Sequence, residues 1–195
     1  MPGHLIRAAT QRDATDLTAM IDMAGDGFPT YFWGHMAMPG QSAFDVGRAR
    51  TMLEDTALSY RNAHIAEVDG VAAGGLVSYA IGKTIKLDDS HAFSEIIRPL
   101  VRLESRIIGY WYVNVLAVYP EFRGQGIGQN LLDHAGTLGR AAGTIGIALI
   151  VASENFGAVR LYEQSGYREM ARETLVAYPG FKRGGEWVLL TKPHY

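Results

Sequence analysis

The chain has 195 residues, 48% of them hydrophobic and 19% charged, with a formal net charge of −2. That is enough for one domain with a real core, and too little charge of either sign to draw the whole molecule to nucleic acid or to an anionic membrane. There is no cysteine, which excludes disulfides, thiolate metal sites and a cysteine nucleophile.

In chain order, LIRAAT reads as a short first strand, with Thr10 or Asp13 placed to cap a helix running to about Met23. GDGFPTYFWGHMAMPGQS, rich in glycine, proline and aromatics, reads as irregular or broken helix. Asp45 to Arg61 has helical spacing, with Val46, Ala49, Met52, Leu53 and Ala57 on one side. AHIAEVDG and VAAGGLVSYAIG form a hairpin around Asp69-Gly70. Residues 82–109 read as a helical insertion, a polar loop followed by an apolar stripe from Phe93 to Ile107, in which Pro99 predicts a kink or two short helices.

YWYVNVLAVYP is a long strand, followed by the loop FRGQGIG and a helix to about Ala142. TIGIALIVA is a continuous apolar run, expected as a strand buried on both faces. NFGAVRLYEQSG reads as a helix stopped by Gly166, and strands in YREMARETLVAY and GEWVLLTK close the chain. The expectation is a single α/β domain, 1–195, with one mixed sheet. The six histidines include no HxH or HxxxH pair, so no metal is expected. The amino terminus lacks a signal-peptide layout and IGIALIVA is too short to span a bilayer, so the cytoplasm is the expected compartment.

The loop from Phe122 to Gly128 joins a strand to a helix and alternates three glycines. Such a turn gathers free N–H groups and the positive end of a helix at one place, which suits phosphate or pyrophosphate. A nucleoside-triphosphate loop needs Lys and then Ser or Thr after its last glycine, where this chain has Gln129 and Asn130. A dinucleotide fold wants G-x-G-x-x-G, not G-x-G-x-G, although Glu154 stands where a ribose ligand could. A tight turn that binds nothing is the plainest reading.

The loop has company. Arg123-x-x-Gly126-x-Gly128 after VNVLAV, followed by Asn155-x-x-Ala158-x-x-Leu161-Tyr162-x-x-x-Gly166-Tyr167, resembles the GNAT superfamily of acetyl-CoA-dependent N-acetyltransferases. The resemblance is specific from about Tyr110 to Tyr167. It implies the fold of that family, a central mostly antiparallel sheet flanked by helices. It also implies acetyl-CoA as co-substrate, with no metal, and a small-molecule or peptide amine as acceptor, with neither nucleic acid nor membrane as partner.

Carried over residue by residue, the resemblance puts the coenzyme pyrophosphate on the amides of Arg123, Gly124, Gln125, Gly126, Ile127, Gly128 and Gln129. The pantetheine arm would run along the backbone of Leu116 and Val118, with the Leu116 N–H facing the oxyanion. Asn155 would hydrogen-bond the arm, Ala158 would leave it room, and Tyr162 would protonate the leaving thiolate. On spacing alone, Asn155, Ala158 and Tyr162 share one helix face; Asn155 is otherwise an N-cap and Tyr162 a core aromatic. The family's strand glutamate is replaced here by Asn114, which cannot act as a base. Glu67, His64, Glu104 and His35 are the substitutes at hand, and none is assigned.

The acceptor side is read from Phe28, Tyr31, Trp33 and Asn114; an ordinary core patch fits the aromatics equally. Tyr178 and Phe181 would form the opposite rim. The 82–109 segment has three roles open to it: a lid, a homodimer contact, or a cover for the sheet. Two other classes remain at this stage, a non-catalytic domain that binds acyl-CoA and a nucleotide-binding α/β protein.

Overall fold

The computed structural model describes residues 4–82, 94–181 and 184–194; the polar loop expected from Lys83 falls outside them as far as residue 93. Seven strands form one sheet in the order β1-β2-β3-β4-β5-β7-β6. They are β1 (Leu5–Ala8), β2 (Ala63–Val68), β3 (Val71–Ala80), β4 (Trp111–Val118), β5 (Gly146–Ala152), β6 (Arg168–Thr174) and β7 (Glu186–Pro193). The helices are α1 (Ala14–Ala24), α2 (Phe28–Gly34), α3 (Ala43–Thr51), α4 (Ser94–Glu104), α5 (Ile127–Ala141) and α6 (Phe156–Gln164). The β4–β5 pairing is parallel, whereas β1–β2, β2–β3, β5–β7 and β6–β7 are antiparallel. The mixed, mostly antiparallel sheet expected from the sequence is therefore present.

The chain divides into two compact units, residues 1–78 with 114–134, and residues 79–113 with 135–195. The first unit builds its core from Leu17, Met20 and Ile21 of α1, Trp33 of α2, Ile65 of β2, and Val115 and Ala117 of β4. Its entry into α1 is capped as expected. Thr10 and Asp13 form a reciprocal capping box around the short helical turn Gln11–Asp13. Arg7 of β1 then grips Asp13 at 2.7 Å and Glu67 of β2 at 2.7 Å. The Arg7 hydrogen bond holds the Asp13 carboxyl at about 2, below its usual range. The Asp69-Gly70 hairpin is a two-residue loop with φ of 50° and 77°, the left-handed pair that a primed turn requires.

Two expectations in the chain order need correction. The helix predicted over Asp45 to Arg61 is α3, which starts at a Ser42–Asp45 capping box and stops at Thr51. Thr51 donates back to the Arg48 carbonyl at 2.9 Å, and beyond it Glu54 turns to Arg61 at 2.6 Å. Leu53, counted on the apolar face, is 47% exposed, so the apolar stripe ends where the helix does. The second correction is α4, which runs as one helix from Ser94 to Glu104 with Pro99 inside it, so the alternative of two short helices is not realised. A proline in a helix interior forfeits a hydrogen bond and costs about 3 kcal/mol in isolation. Here the Pro99 ring is buried and α4 packs on β6 and β7, so tertiary packing offsets the local cost.

The second unit has its own core, made from Ile81, Leu103, Ile107, Tyr112, Ala148 and Leu189, with Tyr79, Tyr110 and Trp187 packed against it. β5 is buried along six of its seven residues, as its unbroken apolar run demands. Gly166, at φ 88°, follows α6 as the expected stop.

Candidate active site

In the first unit, the second half of β4 sorts its side chains by the period of two. Val115 and Ala117 enter the core, while Asn114, Leu116 and Val118 are partly buried on the other face. The strand's end is fixed from a distance, since the Tyr119 hydroxyl donates to Asp16 of α1 at 2.8 Å. No sequence pattern announces that bond between residues 103 positions apart. After the helical turn Pro120–Phe122 comes the glycine loop.

Gly124 and Gly126 have φ of 75° and 82°, and a Cβ added to either would meet nothing within 4 Å. Glycine is thus required there by backbone conformation, not by crowding from the protein, and the space over the loop is open to a ligand. The first intrahelical bond of α5 runs from Asn130 N–H to the Gly126 carbonyl at 3.0 Å. The amides of Gly124, Gln125, Gly126, Ile127 and Gly128 precede it, and none of the hydrogen bonds found among the described residues uses them. Ile127, 1% exposed, roots the helix start in the core.

The Arg123 side chain is engaged locally. Its Nε donates to the Val118 carbonyl at 3.1 Å and its Nη2 lies 3.4 Å from Met23 Sδ, so it buckles the loop to β4 and α1. Gln125 donates weakly to the Glu121 carbonyl, and its own carbonyl lies 3.0 Å from His4 Nε2. Gln129 donates to Asp133 at 3.0 Å along α5.

The aromatic stretch is α2, a seven-residue helix with Pro29 in its first turn, so the broken-helix reading holds in part. Phe28 stacks on Tyr31 and Phe32, and Tyr31 lies edge-on to His35 at 4.7 Å. Trp33 is different. It is 2% exposed, with its ring where a Cβ on Gly47 would sit, 2.5–2.8 Å away. Trp33 is a core residue, not the pocket wall expected of it.

In the second unit, α6 begins at Asn155, which makes no side-chain cap bond. The plain N-cap role is therefore not realised, and no side-chain hydrogen bond of Asn155 is found among the described residues. Ala158 is partly buried and Tyr162 is 7% exposed, its ring 6.0 Å from Tyr167. Burial pushes the Tyr162 hydroxyl up to about 12, so it is a protonated phenol at neutral pH. Glu154 accepts from the Gly184 N–H at 2.7 Å, a structural task that competes with a ribose. Tyr178 and Phe181 stack at 4.8 Å, with Tyr178 buried.

The four substitute bases separate cleanly by environment. Glu67 is held by Arg7. His35 Nδ1 lies 2.9 Å from the Tyr31 carbonyl on the surface. His64 packs edge-on to His134 at 4.5 Å, and burial, then the neighbouring imidazole's charge, lowers it to about 4. Glu104, the last residue of α4, is raised by burial to about 7, opposed by a hydrogen bond from Tyr112. Among the described residues no group of three or more His, Cys, Asp or Glu could hold a metal ion, and no helix is long and apolar enough to cross a membrane.

The model of the acetyltransferase (GNAT) family matches residues 37–167. No curated protein matches the chain. Among solved structures, one described as an acetyltransferase superposes with a TM-score of 0.67 at 21% identity, covering 97% of this chain and 98% of its own. An N-acetyltransferase from Staphylococcus aureus Mu50 has a TM-score of 0.67 at 17% identity, covering 96% and 100%. The yncA protein of Salmonella typhimurium, solved with its cofactor acetyl-CoA, has a TM-score of 0.60 at 18% identity, covering 97% and 93%. At these identities the likeness is one of fold.

Proposed function

The chain belongs to the GNAT acetyltransferase family, and from that premise we propose that it moves an acetyl group from acetyl-CoA to a primary amine of a small molecule or peptide, by direct attack in a ternary complex. The observation that carries this reading is the run of five amides from Gly124 to Gly128, unused among the described residues beneath open space at the start of α5. A helix N-terminus with its N–H groups uncommitted favours a polyanion, and the coenzyme pyrophosphate is the polyanion this family's reaction supplies.

The remaining roles follow from the chemistry. The Asn155 carboxamide, uncommitted to its own helix, hydrogen-bonds the coenzyme arm, and the backbone of Leu116 and Val118 extends that contact. The Leu116 N–H steadies the oxyanion formed when the amine adds to the thioester; one such donor is worth roughly 10²–10³ in rate. Tyr162, kept protonated by burial, gives its proton to the departing thiolate.

The test is the release of free thiol from acetyl-CoA over a panel of primary amines. Amine-dependent release supports the reading. Saturable acetyl-CoA binding with no release from any amine contradicts transfer and leaves an acyl-CoA-binding domain, the role that Asn114 in place of an acidic residue would suit.

A further inference from the structure

Of the two strands that end the sheet, β1 has four residues and β6 has seven. β6 pairs with β7 along one side, and among the described residues no strand lies along the other. The backbone groups on that outer side make no hydrogen bond found among the described residues. Arg168, Glu169, Met170, Arg172 and Thr174 are exposed, whereas Ala171 and Glu173 are half-buried. An open edge of this kind is a template for a further strand.

Charge restricts what that strand can be. Residues 168–173 read Arg-Glu-Met-Ala-Arg-Glu. Laid antiparallel against a second copy about its midpoint, Arg168 meets Glu173, Glu169 meets Arg172, and Met170 meets Ala171. Every charged residue then faces the opposite charge. A strand that sets like charge against like at these positions is disfavoured.

In a regular strand this register would fail. A two-fold axis normal to a sheet returns each residue to its own face, and residues five apart point to opposite faces. The bulge in β6 removes the conflict, because the register on β7 slips between Glu169 and Ala171. Arg168, Ala171 and Glu173 stand opposite Thr191, Leu189 and Trp187, so they share one face. Glu169, Arg172 and Thr174 stand opposite Leu190, Val188 and Glu186, so they share the other. The side chains agree. Arg172 holds Glu169 at 2.6 Å and Glu186 at 2.9 Å, while Glu173 lies 3.4 Å from Arg102 of α4. Arg168 uses only Nη1 within the chain, donating to the Tyr167 carbonyl at 2.9 Å and weakly to that of Glu163. Its other N–H groups make no bond found among the described residues.

We propose that β6 docks edge to edge with β6 of a second copy of this chain, antiparallel and two-fold, in the register that sets Arg168 against Glu173 and Glu169 against Arg172. The bulge and the charges keep other strands off the edge, and this one partner matches both. The pairing is independent of the function proposed above.

The experiment is sedimentation of the full chain as wild type, as Arg168→Glu, as Glu173→Arg, and as a one-to-one mixture of the two variants. Arg168→Glu sets carboxylate against carboxylate at both symmetry-related contacts, and Glu173→Arg sets guanidinium against guanidinium. In the mixture, each Arg168→Glu chain meets the reversed charge on a Glu173→Arg chain, and the native Arg168–Glu173 pair forms at the other contact. Loss of the Arg102 contact in Glu173→Arg would weaken that variant and the mixture alike, so recovery in the mixture reports the pairing itself.

The expected result is a dimeric wild type, a dissociation constant raised about tenfold or more in each variant alone at low salt, and a mixture restored to within a few-fold of the wild type. Circular dichroism should be the same throughout. A wild type that stays monomeric up to about 100 μM overturns the inference and leaves the edge to a strand of another chain. Variants that dimerise as tightly as the wild type also overturn it, placing the contact elsewhere. So does a mixture as weak as its components.

Discussion

The two turns that lead from a strand into a helix, β4 into α5 and β5 into α6, perform the same topological task by different means. The first relies on backbone, with two left-handed glycines and five amides ahead of the helix. The second relies on one side chain, since Asn155 stands at the N-cap position with φ −83° and ψ 64° and does not cap. Either turn could have been purely structural. At the first, glycines are kept where nothing in the protein crowds them; at the second, a residue suited to capping forgoes the bond. Both leave polar groups uncommitted among the described residues.

The comparison breaks most readily at Gly126. A valine there must adopt a left-handed φ, at a cost of about 1–3 kcal/mol, and its side chain enters the space over the loop. Losing two charge-assisted amide bonds should lower acetyl-CoA affinity about 10²–10⁴-fold, measured by calorimetry, with the circular dichroism spectrum preserved. Unaltered affinity would make the first turn structural.

Tyr162→Phe sharpens the contrast between binding and chemistry on α6. Turnover should fall about 10²-fold while acetyl-CoA affinity stays the same, since the hydroxyl donates only to the leaving group. A change confined to affinity would return Tyr162 to packing.

Asn155→Ala separates ligand from cap. A capping asparagine is worth about 1 kcal/mol of stability, so a stability loss of that size in thermal unfolding would show that the side chain caps in solution. The structure predicts a stability change under about 0.5 kcal/mol and an affinity loss near tenfold, one hydrogen bond's worth. The smallest effect belongs to Arg123→Gln. The buckle to Val118 is exposed, so stability should drop by about 1 kcal/mol or less and affinity only a few-fold. A large, salt-dependent loss would assign the Arg123 charge to the pyrophosphate.

These differences track what a linear sequence can carry. The Asp69-Gly70 turn, the apolar run of β5 and the alternating glycines are local, and each appears where its residues place it. The aromatic stretch around Trp33 was ambiguous because an indole fits a pocket wall or a core equally well; the room left by Gly47, fourteen positions on, decides for the core. Pro99 reads as a break because helix propensity carries no information about the packing of α4 on β6 and β7. The state of Glu104 is least legible of all. Its carboxylate reads like any surface glutamate until α4 is laid down and burial raises it, opposed by a hydrogen bond from Tyr112.

The most direct test of the central claim is a calorimetric titration of the purified protein with acetyl-CoA, with NAD and ATP run alongside. The account predicts saturable binding of acetyl-CoA alone, lost in Gly126→Val. Binding of NAD or ATP in preference, or no binding of any of the three, would contradict it.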